Sequence, residues 1–338
     1  MDITDFDCLY DSMMKCKKGV LWKDSVAHFY LNGIEEVLKL ESQLKNGSYK
    51  ARPPFSFSIT SPKPRDLVSI CFRDRVYQRS LNDNSLYPIM TKSFIYDNCA
   101  CQIGKGTDLA RGRMKCHLNR HFRKHGKDGY VLQIDIHGYY PNMDHKTTEE
   151  MFKRKLPEDI FIRTKAVLDW QYTGEKGYNP GSQMIQIAGI SYLDPFDHFC
   201  KEQLKLKHYI RYMDDIIIIH HDKKYLEECL VRIQKELLKV GCTFNEKKTR
   251  IYPLKNGILF LGFIFRLTKT GKVIMTLNPN NVKNQRRKLK KLVEMCKRGK
   301  RKREDVDMAF ECWIANAKKG NTHNLIVKMK EYYNNLWR

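Results

Sequence analysis

An α+β fold is what the sequence predicts, and three observations predict it. Tyr130–Ile136 is an apolar run of strand length. His208–His220 reads as two further apolar strands folded into a tight hairpin. Segments with apolar residues at helical spacing separate these strands, which points to an α+β sheet covered by helices on one face.

Taken in order, residues 23–46 carry Phe29, Ile34, Val37, Leu38 and Leu44 at helical spacing, and Asn46-Gly47 ends that helix. Residues 52–64 alternate Phe55, Phe57 and Ile59 between prolines, the pattern of an edge ribbon bracketed by turns. Residues 71–92 read as an Arg-rich helix. The turn His125–Gly129 leads into the strand Tyr130–Ile136. Residues 146–172 and 183–207 read as helices, with a glycine-bearing loop over 174–181. Residues 222–240 show helical periodicity through Leu226, Leu230, Ile233, Leu237 and Leu238. Gly257–Phe265 reads as another strand, and from about residue 280 the chain is helical and very basic.

At 338 residues the chain suits two or three packed subdomains. Its 42% hydrophobic content supports a sizeable core and excludes global disorder. Lys and Arg number 62 against 38 acids, a net charge of +24. Such a surface attracts phosphate backbones and releases their counterions, so nucleic acid is the favoured partner over a membrane surface or no partner. The acidic opening MDITDFD lacks the form of a secretory signal, and no apolar run approaches the roughly 20 residues of a membrane helix. A cytoplasmic protein with no membrane partner is expected. The 11 cysteines, an odd number, read as reduced thiols, and the Cys99-x-Cys101 pair reads as small buried residues rather than a metal site.

Tyr212-Met213-Asp214-Asp215 places two adjacent acids at the turn between two strands. Adjacent carboxylates repel, and burial makes that worse. A hard divalent cation such as Mg²⁺ relieves the repulsion and gives the pair a purpose. Asp135 ends the preceding strand, so two such strands side by side would gather three carboxylates. That suits two metal ions clamping an in-line phosphoryl displacement. A solvated turn is the blander reading of an arbitrary Asp-Asp pair.

The Tyr-Met-Asp-Asp string resembles the active-site box of reverse transcriptases. Asp135-Ile136-His137-Gly138-Tyr139-Tyr140-Pro141-Asn142-Met143-Asp144 resembles their other metal-binding motif. The resemblance implies a right-hand polymerase fold: fingers at 1–127, palm at 128–268 and a basic helical thumb at 269–338. It implies that Asp135, Asp214 and Asp215, with the Ile136 carbonyl, hold two Mg²⁺ ions, with Mn²⁺ as the alternative. It places Tyr140 as an aromatic gate against a ribose 2′-OH. Pro62-Lys63-Pro64-Arg65 and Phe72-Arg73-Asp74-Arg75 resemble the fingers motifs, making Lys63 and Arg65 candidates to grip the incoming dNTP. Gly181, in Pro180-Gly181-Ser182, would let backbone approach the nascent base pair. Lys248, in Asn245-Glu246-Lys247-Lys248-Thr249, is the candidate to protonate the leaving pyrophosphate. Phe260-Leu261-Gly262-Phe263 resembles the primer grip.

Phe94-Ile95-Tyr96-Asp97, Gly104-Lys105-Gly106-Thr107 and the ending Asn321-Thr322-His323-Asn324-Leu325 are most similar to bacterial diversity-generating retroelement enzymes, with antiphage-defence reverse transcriptases as a related class. Ile185-Gln186 stands where the retroelement enzymes carry Ser-Gln. The implied activity is RNA-directed DNA synthesis on an RNA template and DNA primer. A structured noncoding RNA, and an accessory protein or second polymerase subunit, are the expected partners. In the basic tail, Leu289, Leu292 and Met295 would pack inward while Arg286, Arg287, Lys290 and Lys291 face nucleic acid. The competing readings are a catalytically silent RNA-binding scaffold and an RNA-dependent RNA polymerase.

Overall fold

The computed structural model describes residues 2–60, 64–179 and 181–338, with Arg65 as backbone alone. Three helices open the chain: α1 (Phe6–Cys16), α2 (Asp24–Leu31) and α3 (Gly33–Lys45). The helix expected across 23–46 is therefore two. Asn32 leaves helical geometry at φ −101° and ψ 25°, and a Cβ on Gly33 would lie 3.0 Å from the Met13 side chain.

The antiparallel pair β1 (Phe55–Ile59) and β2 (Arg65–Ser69) follows. Next come α4 (Phe72–Leu81), a π-helical turn over Asn82–Leu86, and α5 (Tyr87–Thr91). Asp74 of α4 is fully buried and accepts from Tyr49 Oη and the Arg52 amide, both at 2.8 Å, with Arg73 beside it. Asp74→Ala would leave those donors without their acceptor. We expect it to cost on the order of 3 kcal/mol, read as a lower urea midpoint at an unchanged m-value.

The long helix α6 (Thr107–His125) escapes a periodicity reading because Arg111, His117 and His121 occupy its buried face. β3 (Tyr130–Asp135) and the single turn α7 (Tyr139–Asn142) come next. The helix expected over 146–172 divides into α8 (His145–Lys155) and α9 (Glu158–Gln171) at Pro157, which lacks an N–H and forces the preceding residue out of helical geometry. The one expected over 183–207 becomes α10 (Gln183–Tyr192) and α11 (Asp194–His198), with a π-helical turn over Phe199–Gln203.

β4 (Tyr209–Tyr212), β5 (Asp215–His220), α12 (Lys223–Leu238) and β6 (Arg250–Pro253) follow. The strand expected at 257–265 is a hairpin of β7 (Ile258–Phe260) and β8 (Phe263–Leu267). Leu261 and Gly262 turn it with φ of 47° and 81°, the left-handed pair that a two-residue hairpin favours. β9 (Val273–Leu277) extends that sheet, and α13 (Pro279–Lys297), α14 (Arg303–Ala317) and α15 (His323–Trp337) close the chain.

The central sheet has the order β4-β5-β3-β6, and its pairings are antiparallel. It is covered on both faces, not on one. Side chains alternate along a strand, and in β5 Ile216 and Ile218 join one core while Ile217 and Ile219 join another. The first core also takes in α8–α12, and the second takes in α6, β7–β9 and α13–α15. Two-sided burial is what makes the run Ile216–Ile219 apolar without interruption. Cys99 is buried as expected, whereas Cys101 is exposed on a left-handed residue with φ of 50°. Among the described residues, no helix is long and apolar enough to cross a membrane.

Candidate active site

β3 and β5 pair in a register that sets Asp135 directly opposite Asp215, and β4 joins β5 with Tyr212 opposite Asp215. Asp214 lies on the turn between β4 and β5, beside Met213, whose φ is 57°. A non-glycine residue in that region is strained and persists only where its surroundings hold it. Burial, reinforced by the charge of Asp135, pushes the Asp214 carboxyl above its ordinary range, while its own backbone amide opposes the shift.

The 245–249 segment folds against the end of β3. The Asn245 amide donates to the Asp135 carbonyl at 2.8 Å, and Lys248 and Thr249 donate their amides back to the Asn245 carbonyl. This turn carries Lys248 Nζ to both Asp135 oxygens, at 3.0 and 2.8 Å. Those hydrogen bonds raise the proton affinity of Lys248, and the charges of Asp135, Asp215 and Asp214 add to the effect. Ile136 is buried and bridged to Phe244.

Tyr140 is half-buried, and burial pushes its phenol above the ordinary range. Its ring is backed by Gly189 of α10: a Cβ there would lie 2.9 Å from Tyr140 Oη and 3.1 Å from Cε1. The Tyr139 hydroxyl donates to the Gly189 carbonyl and fixes the same surface. Gly189 is a position that sequence reading passes over. A glycine inside a helix costs about 1 kcal/mol against alanine, and that mismatch is the signal the sequence offers.

Gly181 lies against β2, where a Cβ would come 3.3 Å from the Val68 carbonyl. It borders a cavity of about 240 Å³ lined also by Val68, Ile70, Arg75, Gln78 and Ser182. Arg65 heads β2 opposite Ile59. Lys63 lies outside the described residues.

Far along the chain, α13 exposes Arg286, Arg287, Lys290 and Lys291. Its buried positions are Gln285, Leu289 and Val293, spaced by four, whereas Leu292 and Met295 are half-buried. Arg286 spans both roles, lying 5.4 Å from the Tyr332 ring centroid with Nε 3.4 Å from Met329 Sδ.

The donor set at the sheet end consists of carboxylates, the hard oxygens that Mg²⁺ and Mn²⁺ favour. Burial first, and then the charge of Asp135, raise the proton affinity of Asp214, and a bound cation would offset both. Lys248 is a stand-in cation on Asp135. In chemistry the residues fit a divalent ion. Among the described residues, no three His, Cys, Asp or Glu side chains converge closely enough to hold one, and both Asp135 oxygens are engaged by Lys248.

Residues 60–265 match the family model described as reverse transcriptase (RNA-dependent DNA polymerase). Among curated proteins, none matches the chain. Among solved structures, it is similar to telomerase from Candida albicans in complex with a fragment of telomeric RNA. The TM-score is 0.52 at 11% identity, covering 72% of this chain and 49% of that one. It is also similar to apo telomerase from Candida tropicalis truncated from its C-terminal domain. There the TM-score is 0.47 at 14% identity, covering 71% of this chain and 60% of that one. The chain thus spans about half the length of the first telomerase chain, and at such identities the likeness concerns the polymerase fold. With more than half of its length matched by the model, the chain belongs to the reverse transcriptase (RNA-dependent DNA polymerase) family.

Proposed function

We propose that this chain is an RNA-directed DNA polymerase that adds dNTPs to a primer by phosphoryl transfer, with fingers at 1–127, palm at 128–268 and thumb at 269–338. The observation that carries the reading is the pairing of Asp135 with Asp215 across β3 and β5, with Asp214 on the adjoining turn. Asp135, Asp214, Asp215 and the Ile136 carbonyl would hold two Mg²⁺ ions, which supply charge neutralisation and alignment for in-line displacement. Lys248, whose proton affinity is raised at the edge of the carboxylates, would leave Asp135 to the metals and give its proton to the departing pyrophosphate. Lys63 and Arg65 would grip the triphosphate, and Gly181 would let backbone approach the nascent base pair. Primer extension on an RNA template tests the reading. Mg²⁺-dependent dNTP incorporation by the parent protein is expected, and its complete absence would leave the scaffold reading instead.

Tyr140 discriminates by sugar in this proposal. Gly189 lies behind the ring and leaves it no retreat into α10. Tyr140→Ala is expected to lower the dNTP-over-rNTP preference by roughly 10–100-fold. Competing single-nucleotide incorporation assays check this. A preference equal to the parent's would make Tyr140 a packing residue.

The Phe94–Asp97, Gly104–Thr107 and Asn321–Leu325 strings extend the proposal to a bacterial system that copies a dedicated noncoding RNA in the cytoplasm, either a retroelement or an antiphage defence system. Sequencing the cDNA made in cells, and reading the neighbouring genes for a variable-repeat target or a defence partner, separates these two.

A further inference from the structure

Arg211 of β4 directly precedes Tyr212-Met213-Asp214-Asp215, and among the described residues it is the bulkiest fully buried side chain. Its Nε donates to Asp197 Oδ1 at 2.7 Å, and its Nη2 donates to Asp197 Oδ2 at 2.6 Å and to the Ile190 carbonyl at 2.9 Å. Its Nη1 donates to the Met213 carbonyl at 3.1 Å. Asp197 is itself fully buried and also accepts from Tyr209 Oη at 2.5 Å.

The fourth of these bonds differs in kind from the others. The Met213 carbonyl and the Asp214 amide belong to one peptide plane. Holding that carbonyl therefore fixes ψ of Met213 and limits φ of Asp214. Met213 is itself at φ 57°, so a strained residue on the Tyr212 side of the turn is followed by a peptide whose carbonyl Arg211 holds. Arg211 is in turn immobile. Its amide donates to the Asp97 carbonyl and its carbonyl accepts from the Cys99 amide, both at 3.0 Å, while Asp197 grips the guanidinium at two atoms. A buried ion pair is weak evidence for stability, because apolar residues of similar volume often serve as well. A planar fork with five donors is, however, the side chain that can engage a carboxylate and two carbonyls at once.

We propose that Arg211, anchored by Asp197, is a positioning residue that holds the Met213–Asp214 peptide next to the strained Met213 and so aims the Asp214 and Asp215 carboxylates. The inference deepens the polymerase reading and rests on it for its kinetic arm alone.

Arg211→Lys keeps the charge opposite Asp197 and loses the fork. It is expected to lower kcat for dNTP incorporation by about 10–100-fold, the cost of a small misplacement. KM and template–primer affinity should stay near the parent's. Amide hydrogen exchange of the 209–216 peptide should quicken, a readout that needs no activity. Adding Met213→Gly, which removes the penalty at positive φ, should restore several-fold of the lost kcat. If Arg211→Lys does not fold, Arg211→Met with Asp197→Leu removes the pair together and is measured in the same way. Parental kcat and parental exchange in the variant would overturn the proposal. So would a kcat loss that Met213→Gly deepens instead of relieving. A parent protein without incorporation would overturn the polymerase reading instead, and exchange would still decide the role of Arg211.

Discussion

Asp214→Asn is expected to lower dNTP incorporation by about 10³-fold or more, because it removes one member of a preorganised electrostatic site. Fold stability should not fall with it. The folded-state proton affinity of Asp214 is raised, first by burial and then by Asp135. For a carboxyl shifted in that direction, the stabilising contribution is full below the unfolded pKa and is lost as pH rises through the folded pKa. At pH above the folded pKa, in metal-free buffer, the ionised Asp214 therefore opposes folding, and neutral Asn relieves that cost. The expected pattern is a large activity loss, unchanged RNA affinity, and a thermal midpoint at or above the parent's at pH 7. At low pH the midpoint difference should shrink, since Asp214 is then neutral as well. Parental incorporation in Mg²⁺ would end the catalytic assignment. A sharp fall in midpoint would instead make Asp214 a structural residue.

The carboxylates are legible in the sequence because they sit at the ends of apolar strands, where pattern and chemistry coincide. Tyr130–Ile134 and Ile216–Ile219 could hardly be anything but buried strands, and their pairing brings Asp135 to Asp215. What surrounds the carboxylates is not legible. Lys248 and Asp135 are 113 positions apart, and nothing local ties them. Arg211 and Asp197 are 14 apart on different elements. Each alone looks like a solvated charge, and only the folded geometry shows that Arg211 has no exposed surface. The same cause hides α6. Arg111, His117 and His121 are polar residues invisible to a hydrophobic period, yet they face inward where leucines would be expected. Helix breaks escape for a local reason: Asn32-Gly33 and Pro157 interrupt apolar patterns that continue in phase on both sides.

Replacing Arg286, Arg287, Lys290 and Lys291 of α13 with Gln is expected to weaken binding of a template–primer duplex on all sequences alike. These four residues are exposed, and three of them border a groove with Val282, Lys283, Leu325 and Tyr332 between α13 and α15. The buried stripe through Gln285, Leu289 and Val293 fixes α13 against the second core, so the cations are carried on a braced helix. Ion pairs from such cations to phosphates position a duplex without reading its bases. Removing one cation–phosphate pair lowers the slope of log affinity against log salt by about 0.7 to 0.9, so removing four would lower it by about 3. Between roughly 50 and 200 mM salt, the parent should then lose about 10²-fold more affinity than the variant. Arg286 complicates the four-site variant because it also packs on Tyr332 and Met329. A three-site variant that keeps Arg286 should retain the parental thermal midpoint and still flatten the slope by about 2 to 3. Fluorescence anisotropy across a salt series, on two duplexes of unrelated sequence, measures both. A parental slope and affinity in the three-site variant would show that this face of α13 is a solvated basic surface and that the duplex is held elsewhere.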